Sequence, residues 1–398
     1  MDQNPDQFPV ISIEARAARR VRTGHPWVFS NEFAMTPELK ALVPGSIVRV
    51  KGPEGHDLGL FMFNPRTLIA ARRLTRDVKA RIDADFLGDR LELARTRRDR
   101  LFARPFYRFV HAEADGFPGL VIDRFGDTLV VQVNSAGFER LTDSLIAALD
   151  KVLAPARIIL KNDSPARELE GLTTSVELVR GANDGPIAVE ENGITYFCDP
   201  LNGQKTGWFY DHRDNRAFIA GLAAGARVVD FYSYAGAFAL ACARAGAAEV
   251  VAVDRSEGAL QLAAKAAAHN GLETHLQFRR ADAFAEMERM GREGERFDIV
   301  IADPPAFVKS KKHLKSGAQG YRKMTRLAAA LVKPGGYLMV ASCSHHMTPD
   351  LFAAEVRQGL ADARREGAII RMSGAGPDHP VHPFLPESAY LKAQVIAL

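Results

Sequence analysis

From about Gly225 onward the chain alternates short apolar runs with amphipathic stretches, and this rhythm restricts the fold more than any other feature of the sequence. The runs fall at Arg227–Tyr232, Glu249–Val253, Leu276–Phe278, Phe297–Ala302, Gly336–Ser342, Ala368–Met372 and Tyr390–Ala397. Segments with helical spacing separate most of them, at 235–246, 256–269, 283–292, 319–332 and 349–365. Strands that alternate with helices need crossover connections. The pattern therefore predicts an α/β unit with a mostly parallel, seven-stranded sheet covered on both faces. In such sheets ligands sit outside the carboxyl ends of the strands, so the chemistry is sought there.

The rest of the 398 residues reads differently. From Phe8 to about Arg76, short apolar runs are broken by Gly and Pro (HPWVFSNEF, PGSIVRVKGPEG, LGLFMFNP, LIAARRL), which predicts a small all-β unit, a barrel. A connecting helix follows at 83–102. Residues 106–190 then show a β-β-α-β order, with strands at Leu120–Ile122, Thr128–Val133 and Arg157–Leu160 and a helix at 139–153. That order predicts an α+β domain with an antiparallel sheet. Three domains result, at 1–80, 81–190 and 191–398.

Charge is unevenly distributed. The net +4 divides into +7 over residues 1–110 and −3 over the remainder, and a regional basic excess suits contact with a polyanion or a solvated charged face. Arg16, Arg19, Arg20 and Arg22 cluster just ahead of the β unit, and Lys309, Lys311, Lys312 and Lys315 lie in the stretch VKSKKHLKSG. The longest nearly apolar run, Tyr234–Ala243, is about half of a membrane span, and no span is expected. The start MDQNPDQFPVIS lacks the basic and apolar regions of a secretory signal, so a cytoplasmic location is expected. Cys198, Cys242 and Cys343 are too far apart for a zinc or disulfide framework, and no metal site is expected.

At the strand ends, Asp230 closes the first run and Gly236 opens the next helix, a place where backbone N–H groups can approach a ligand. Asp254 ends the second run, where a carboxylate can accept both hydroxyls of a ribose. Each alone reads as a helix cap. Together on one sheet they suit a nucleoside-containing cofactor. Asp282, Ala283 and Phe284 follow the third strand and offer a carboxylate and a ring to an adenine edge. ADPPAF (302–307) follows the fourth strand and ASCS (341–344) the fifth.

In order, DFYSYAGAF, VDRSEGALQLA with HNGL, RADAF, DIVIADPPAF and ASCS resemble the motifs of class I S-adenosylmethionine-dependent methyltransferases. More narrowly, the chain resembles the large-subunit ribosomal RNA cytosine-5 methyltransferases, built from an N-terminal PUA domain, a central α+β domain and a Rossmann-like domain. GHPWVFSNEF (24–33), DGFPGLVIDRFGD (115–127), NGQKTGWFYDHRDNR (202–216) and DHPVHPFLPESAYLK (378–392) carry the resemblance over nearly the whole chain.

The resemblance implies S-adenosylmethionine as cofactor and large-subunit rRNA as partner. It places Ser233, Tyr234 and Gly236 around the methionine part, Asp254 at the ribose, and Asp282 with Ala283 at the adenine. Gln204, Lys205 and Arg213 become candidates for the methionine carboxylate. Cytosine carbon 5 is a poor nucleophile until a thiolate adds to carbon 6, and Cys343 is placed for that step. Asp303 would hydrogen-bond the base, Pro304 and Pro305 would hold the backbone extended beside it, and Phe307 would stack on it. Lys309, Lys311, Lys312, Arg19 and Arg20 become RNA contacts. Ala306 stands where two-cysteine members of this chemistry carry Pro-Cys, so the base that removes the carbon-5 proton is unassigned. Two other readings stay open: an exocyclic-amine methyltransferase using DPPAF, and a non-enzymatic RNA-binding assembly factor. Oligomeric state is also open, a homodimer included.

Overall fold

A computed structural model describes residues 8–308 and 310–398. The chain divides into two compact units. One comprises residues up to Gly185 with Asp199–Trp208 and Pro377–Pro386, and the other comprises Pro186–Cys198, Phe209–Gly376 and Glu387–Leu398.

The first unit holds two sheets. Strands Val10–Ser12, Ser46–Lys51, Asp57–Phe63, Ala71–Thr75 and Trp27–Val28 hydrogen-bond in that spatial order. Six of the seven residues in DLGLFMF are buried, because this central strand is covered on both faces, with Phe61 and Phe63 in one core. The second sheet orders Ser175–Arg180, Arg157–Asn162, Thr128–Val133, Leu120–Phe125 and Phe106–His111. It is mixed rather than antiparallel. Thr128–Val133 and Arg157–Asn162 run parallel, since the intervening helix Thr142–Leu153 crosses over between them. The connecting helix, Ala84–Leu101, is capped by Asp83, whose carboxylate accepts from the Asp85 and Phe86 amides. Two later segments complete this unit: Thr206 Oγ1 donates to Asp123 at 2.5 Å, and Arg98 donates to the Asp378 carbonyl at 3.1 Å.

The second unit is built on a seven-stranded sheet, whose strands are numbered here in chain order. They are β1 (Arg227–Phe231), β2 (Glu249–Asp254), β3 (Leu276–Arg280), β4 (Phe297–Ala302), β5 (Val332–Ser342), β6 (Ala368–Ser373) and β7 (Lys392–Ala397). The spatial order is β3-β2-β1-β4-β5-β7-β6, with β7 antiparallel to both neighbours and the rest parallel. The strand order reverses between β1 and β4, so the connections leaving their carboxyl ends diverge, which makes this the switch point where such sheets bind ligands. Val229, Val251, Val300 and Val340 are fully buried, as central strands sandwiched between helices must be.

The helices of this unit are α1 (Arg213–Ala220), α2 (Ala237–Arg244), α3 (Glu257–Asn270), α4 (Ala283–Arg292), α5 (Leu314–Leu331) and α6 (Pro349–Asp362). Strand β5 begins four residues earlier than its apolar run. Pro334 and Gly335 (φ +78°) interrupt the run, and the ladder to β4 absorbs them as a bulge between Phe297 and Ile299. A hairpin, Ile187–Glu191 with Ile194–Cys198, turns at Asn192-Gly193, both with positive φ, and delivers Glu191 to this unit. Among the described residues no helix is long and apolar enough to cross a membrane.

Candidate active site

The loop after β1 is the most contorted piece of backbone in the second unit. Tyr232, Tyr234 and Gly236 all have positive φ (62°, 47° and 73°). Two tyrosines in the left-handed region cost about 1–2 kcal/mol each, so the surroundings must enforce them. They do so through Ser233 N, which donates to Val253 O at 3.1 Å, and Tyr234 N, which donates to Asp254 Oδ2 at 2.9 Å. Asp254 Oδ1 accepts from Ser256 N at 2.8 Å. Asp254 therefore fixes this loop to the end of β2, while Ser256 is the residue that caps α3. A Cβ on Gly236 would meet Ala263 Cβ at 2.8 Å, so only glycine lets α2 start this close to α3.

Asp230 is almost fully buried and accepts from Ala239 N at 3.1 Å, tying β1 to the first turn of α2. Burial pushes its pKa well up, against that hydrogen bond, and the charges of Asp303 and Asp254 add to the rise. Asp282 is exposed and caps α4 by accepting from Ala285 N, with Ala283 buried behind it. Two polar groups in the loop stand out: the Ser233 Oγ and the Tyr232 hydroxyl are buried and have no hydrogen-bond partner among the described residues. Such groups cost about 1–3 kcal/mol when left unsatisfied. A left-handed loop with unspent polar atoms, beside a carboxylate at the end of the next strand, fits a polar nucleoside ligand.

The two residues expected to carry chemistry, Asp303 and Cys343, follow β4 and β5, on the other side of the switch point from the loop after β1. Asp303 directly follows β4, and Cys343 directly follows the adjacent β5, whose register pairs Ala302 with Val340. Cys343 is half-buried, whereas Cys198 and Cys242 are fully buried and burial pushes the Cys242 thiol up. Pro304 is buried and Pro305 exposed. Phe307 sits within an aromatic cluster, 4.8 Å from the Tyr321 ring and stacked at 5.9 Å on Phe284. The Tyr321 hydroxyl and the Ser344 Oγ are 2.8 Å apart, and Val308 N donates to that same Oγ. This bond joins the ADPPAF loop to the turn that carries Cys343.

Two residues in contact with this edge escape sequence reading. The first is His212, whose Nε2 lies 3.2 Å from Asp303 Oδ2. Its Nδ1 is 3.1 Å from Asn215 Nδ2, and Asn215 Oδ1 accepts from the Ser373 hydroxyl at 2.6 Å. As drawn, this relay holds a neutral ring with Nε2–H on the carboxylate; a 180° turn of the Asn215 amide would serve the imidazolium equally well. Burial alone lowers the His212 pKa, but the Asp303 charge and hydrogen bond outweigh it and the net shift is upward. The second is Lys392, the first residue of β7, whose Nζ donates to the Ser344 carbonyl. Both lie inside quoted motifs, yet a lone His or Lys has no local signal, and only tertiary contact reveals its partner.

A raised histidine pKa has a stability consequence of fixed sign. The His212–Asp303 contribution is fully present below the ordinary imidazole value of 6.5 and is lost as pH rises through the higher folded value. The melting-temperature gap between the protein and a His212→Gln variant is therefore expected to be widest near about pH 6 and to narrow steadily toward alkaline pH. Thermal melts across a pH series check this.

The remaining candidates are distributed as follows. Arg213 stands at the start of α1, 3.5 Å from Glu191 and over the Tyr210 ring. Gln204 and Lys205 are exposed and belong to the first unit, in the segment fixed by Thr206. Arg19 is exposed, while Arg20 donates to Glu32 at 2.6 Å. Lys311, Lys312 and Lys315 are exposed; Arg322 and Lys323 pair with Asp362 and Glu288. Lys309 lies outside the described residues. Among the described residues no group of three or more His, Cys, Asp or Glu is disposed to hold a metal.

Sheet order and loop geometry suit a nucleoside-containing ligand at the ends of β1 and β2, and the class of protein follows from its relatives: the chain is an S-adenosylmethionine-dependent methyltransferase. Residues 173–392 match that family, described as S-adenosylmethionine-dependent methyltransferase, and residues 11–76 match a PUA-like domain. The chain is 36% identical over 390 residues to Ribosomal RNA large subunit methyltransferase I of Shewanella frigidimarina, covering 97% of this chain and 98% of that one. It is 38% identical over 373 residues to the protein of the same name from Erwinia tasmaniensis, covering 92% and 94%. A solved protein of Streptococcus mutans shares the fold, with a TM-score of 0.84 at 20% identity over 98% of this chain and 100% of that chain. The chain belongs to the S-adenosylmethionine-dependent methyltransferases that carry an N-terminal PUA-like domain, the family of the large-subunit ribosomal RNA methyltransferase I proteins.

Proposed function

We propose that this protein methylates carbon 5 of a cytosine in large-subunit rRNA through a covalent bond between Cys343 and carbon 6 of the base. The observation that carries this reading is the placement of a half-buried thiol and a carboxylate directly after adjacent strands, Cys343 after β5 and Asp303 after β4. When bound, S-adenosylmethionine supplies a methyl group made electrophilic by its sulfonium. Ser233, Tyr234 and Gly236 would line its methionine part with Arg213 toward the carboxylate, Asp254 its ribose, and Asp282 and Ala283 its adenine.

The Cys343 thiolate adds to carbon 6, forming the Sγ–C6 bond and shifting the ring π electrons so that carbon 5 becomes an enamine-type nucleophile. Asp303, steadied by His212, accepts from the exocyclic amine and orients the ring. Once carbon 5 carries the methyl group, a base removes its proton, the C5–H electron pair restores the C5–C6 double bond, and the Sγ–C6 pair leaves with sulfur as the released thiolate. Two assays test the reading. Purified protein with rRNA and cofactor should yield 5-methylcytidine on nucleoside mass spectrometry, and RNA containing 5-fluorocytidine, which cannot lose fluorine as a cation, should trap a stable adduct at Cys343. A methylated exocyclic amine as product, with no adduct, overturns it.

Exposed Lys311, Lys312 and Lys315 would track the RNA backbone beside this edge. Replacing all three by Ala is expected to weaken RNA binding uniformly across sequences. It should also reduce the slope of log K against log salt by about 2, at roughly 0.7 per single-strand phosphate contact. Binding titrations at several salt concentrations measure this.

A further inference from the structure

The sheet places a buried cation beside the nucleophile. Lys392 is the first residue of β7 and pairs in antiparallel register with Ser342, the last residue of β5 and the neighbour of Cys343. Its side chain is 8% exposed, and its Nζ donates to the carbonyls of Ser344 and Tyr390, both at 2.7 Å. Ser344 is the residue after Cys343, so the ammonium is anchored across the turn that carries the thiol. Two of its three N–H groups are spent on these carbonyls, and two neutral dipoles do not neutralise a buried charge. The structure thus keeps a costly cation beside the turn that carries Cys343, the group whose negative charge favours the ammonium.

We propose that Lys392 is a positioning residue that holds Cys343 as a thiolate at neutral pH and so sets the nucleophile before RNA arrives. The assignment rests on the reading of Cys343 as nucleophile and deepens it. Burial lowers the Lys392 pKa to about 8 and the Cys343 charge opposes that fall, so the ammonium persists at neutral pH and is lost as the solution turns alkaline. Other groups face the same turn. Tyr321, on α5, has a hydroxyl whose pKa burial raises, so it stays neutral. His345 is an exposed imidazole against the Tyr390 ring, and the Tyr390 hydroxyl is bonded to Asp211 at 2.6 Å. Of these, Lys392 is the one buried cation.

The test is the pH profile of Cys343 alkylation by iodoacetamide in the full chain, followed by mass spectrometry of the Cys343 peptide, with Cys198 and Cys242 shielded by burial. Wild-type protein should react with a midpoint below the free-thiol value of about 8.5. Lys392→Met should raise that midpoint by about one pH unit and cut the rate at neutral pH about tenfold, Lys392→Arg should restore part of it, and His345→Gln should leave it in place. A wild-type midpoint at or above the free-thiol value overturns the proposal without any variant being needed. An unchanged midpoint in a folded Lys392→Met protein overturns it as well. Trapping by 5-fluorocytidine RNA is scored separately: a low alkylation midpoint without trapping defeats the nucleophile reading while leaving the Lys392–Cys343 pairing intact.

Discussion

Cys343→Ala is expected to reduce methyl transfer by roughly 10³-fold or more while leaving cofactor affinity within about twofold of wild type. The size of the effect comes from the substrate. Under the proposed chemistry, cytosine carbon 5 acquires useful nucleophilicity only when carbon 6 is saturated, and among the described residues Cys343 is the side chain at this edge assigned to form that bond. Affinity is spared because the loop expected to hold the cofactor, Tyr232–Gly236, is fixed by Val253 and Asp254 on the far side of β1. Cys242→Ala provides the control: this thiol is buried within α2, so the change creates a small cavity and leaves turnover near wild type. Single-turnover assays with rRNA and calorimetry with cofactor measure both quantities. Full turnover by Cys343→Ala would instead favour transfer to an exocyclic amine, in which the ADPPAF backbone orients the acceptor.

How much of this was legible follows from which physical signals are local. The seven strands were visible because parallel strands buried on both faces produce continuous apolar runs such as VVDF and DIVIA. The early start of β5 was hidden, since Pro334 and Gly335 normally terminate a strand and here only bulge it. The parallel pair in the first unit is hidden by its neighbours: the other ladders of that sheet are antiparallel, and only Thr142–Leu153 between Thr128–Val133 and Arg157–Asn162 supplies the crossover that parallel pairing needs. The positions of Asp303 and Cys343 were legible from the strand ends, whereas the roles proposed for them rest on the family resemblance. His212 and Lys392 were not: His212 meets its carboxylate 91 residues further along the chain, and Lys392 reaches Ser344 only through the pairing of β5 with β7. Pattern reading finds residues placed by their own element and misses those placed by contact with another.

The buried pair Glu191–Arg216 is the clearest case of such placement, and breaking it is expected to have the largest effect on stability. Both side chains are 1% exposed, and the guanidinium grips the carboxylate with two bonds of 2.6 and 2.8 Å while also donating to Phe209 O. Arg213 adds a second cation at 3.5 Å. Desolvating these charges is tolerable only because each meets its opposite. Glu191→Ala leaves two guanidinium groups without their anion, which is expected to destabilise the catalytic unit by about 3–5 kcal/mol, or a melting shift of about 6–20 °C. A double variant, Glu191→Leu with Arg216→Met, removes both charges and should recover most of the loss, because the penalty lies in the unpaired ion rather than in the missing bond. Calorimetric melts of the three proteins decide this. The same helix transmits the damage to the site: Arg213 and Arg216 belong to α1, and His212 immediately precedes it. When Glu191 no longer holds α1, the imidazole loses its fixed approach to Asp303, so turnover should fall in Glu191→Ala even at temperatures where the chain stays folded.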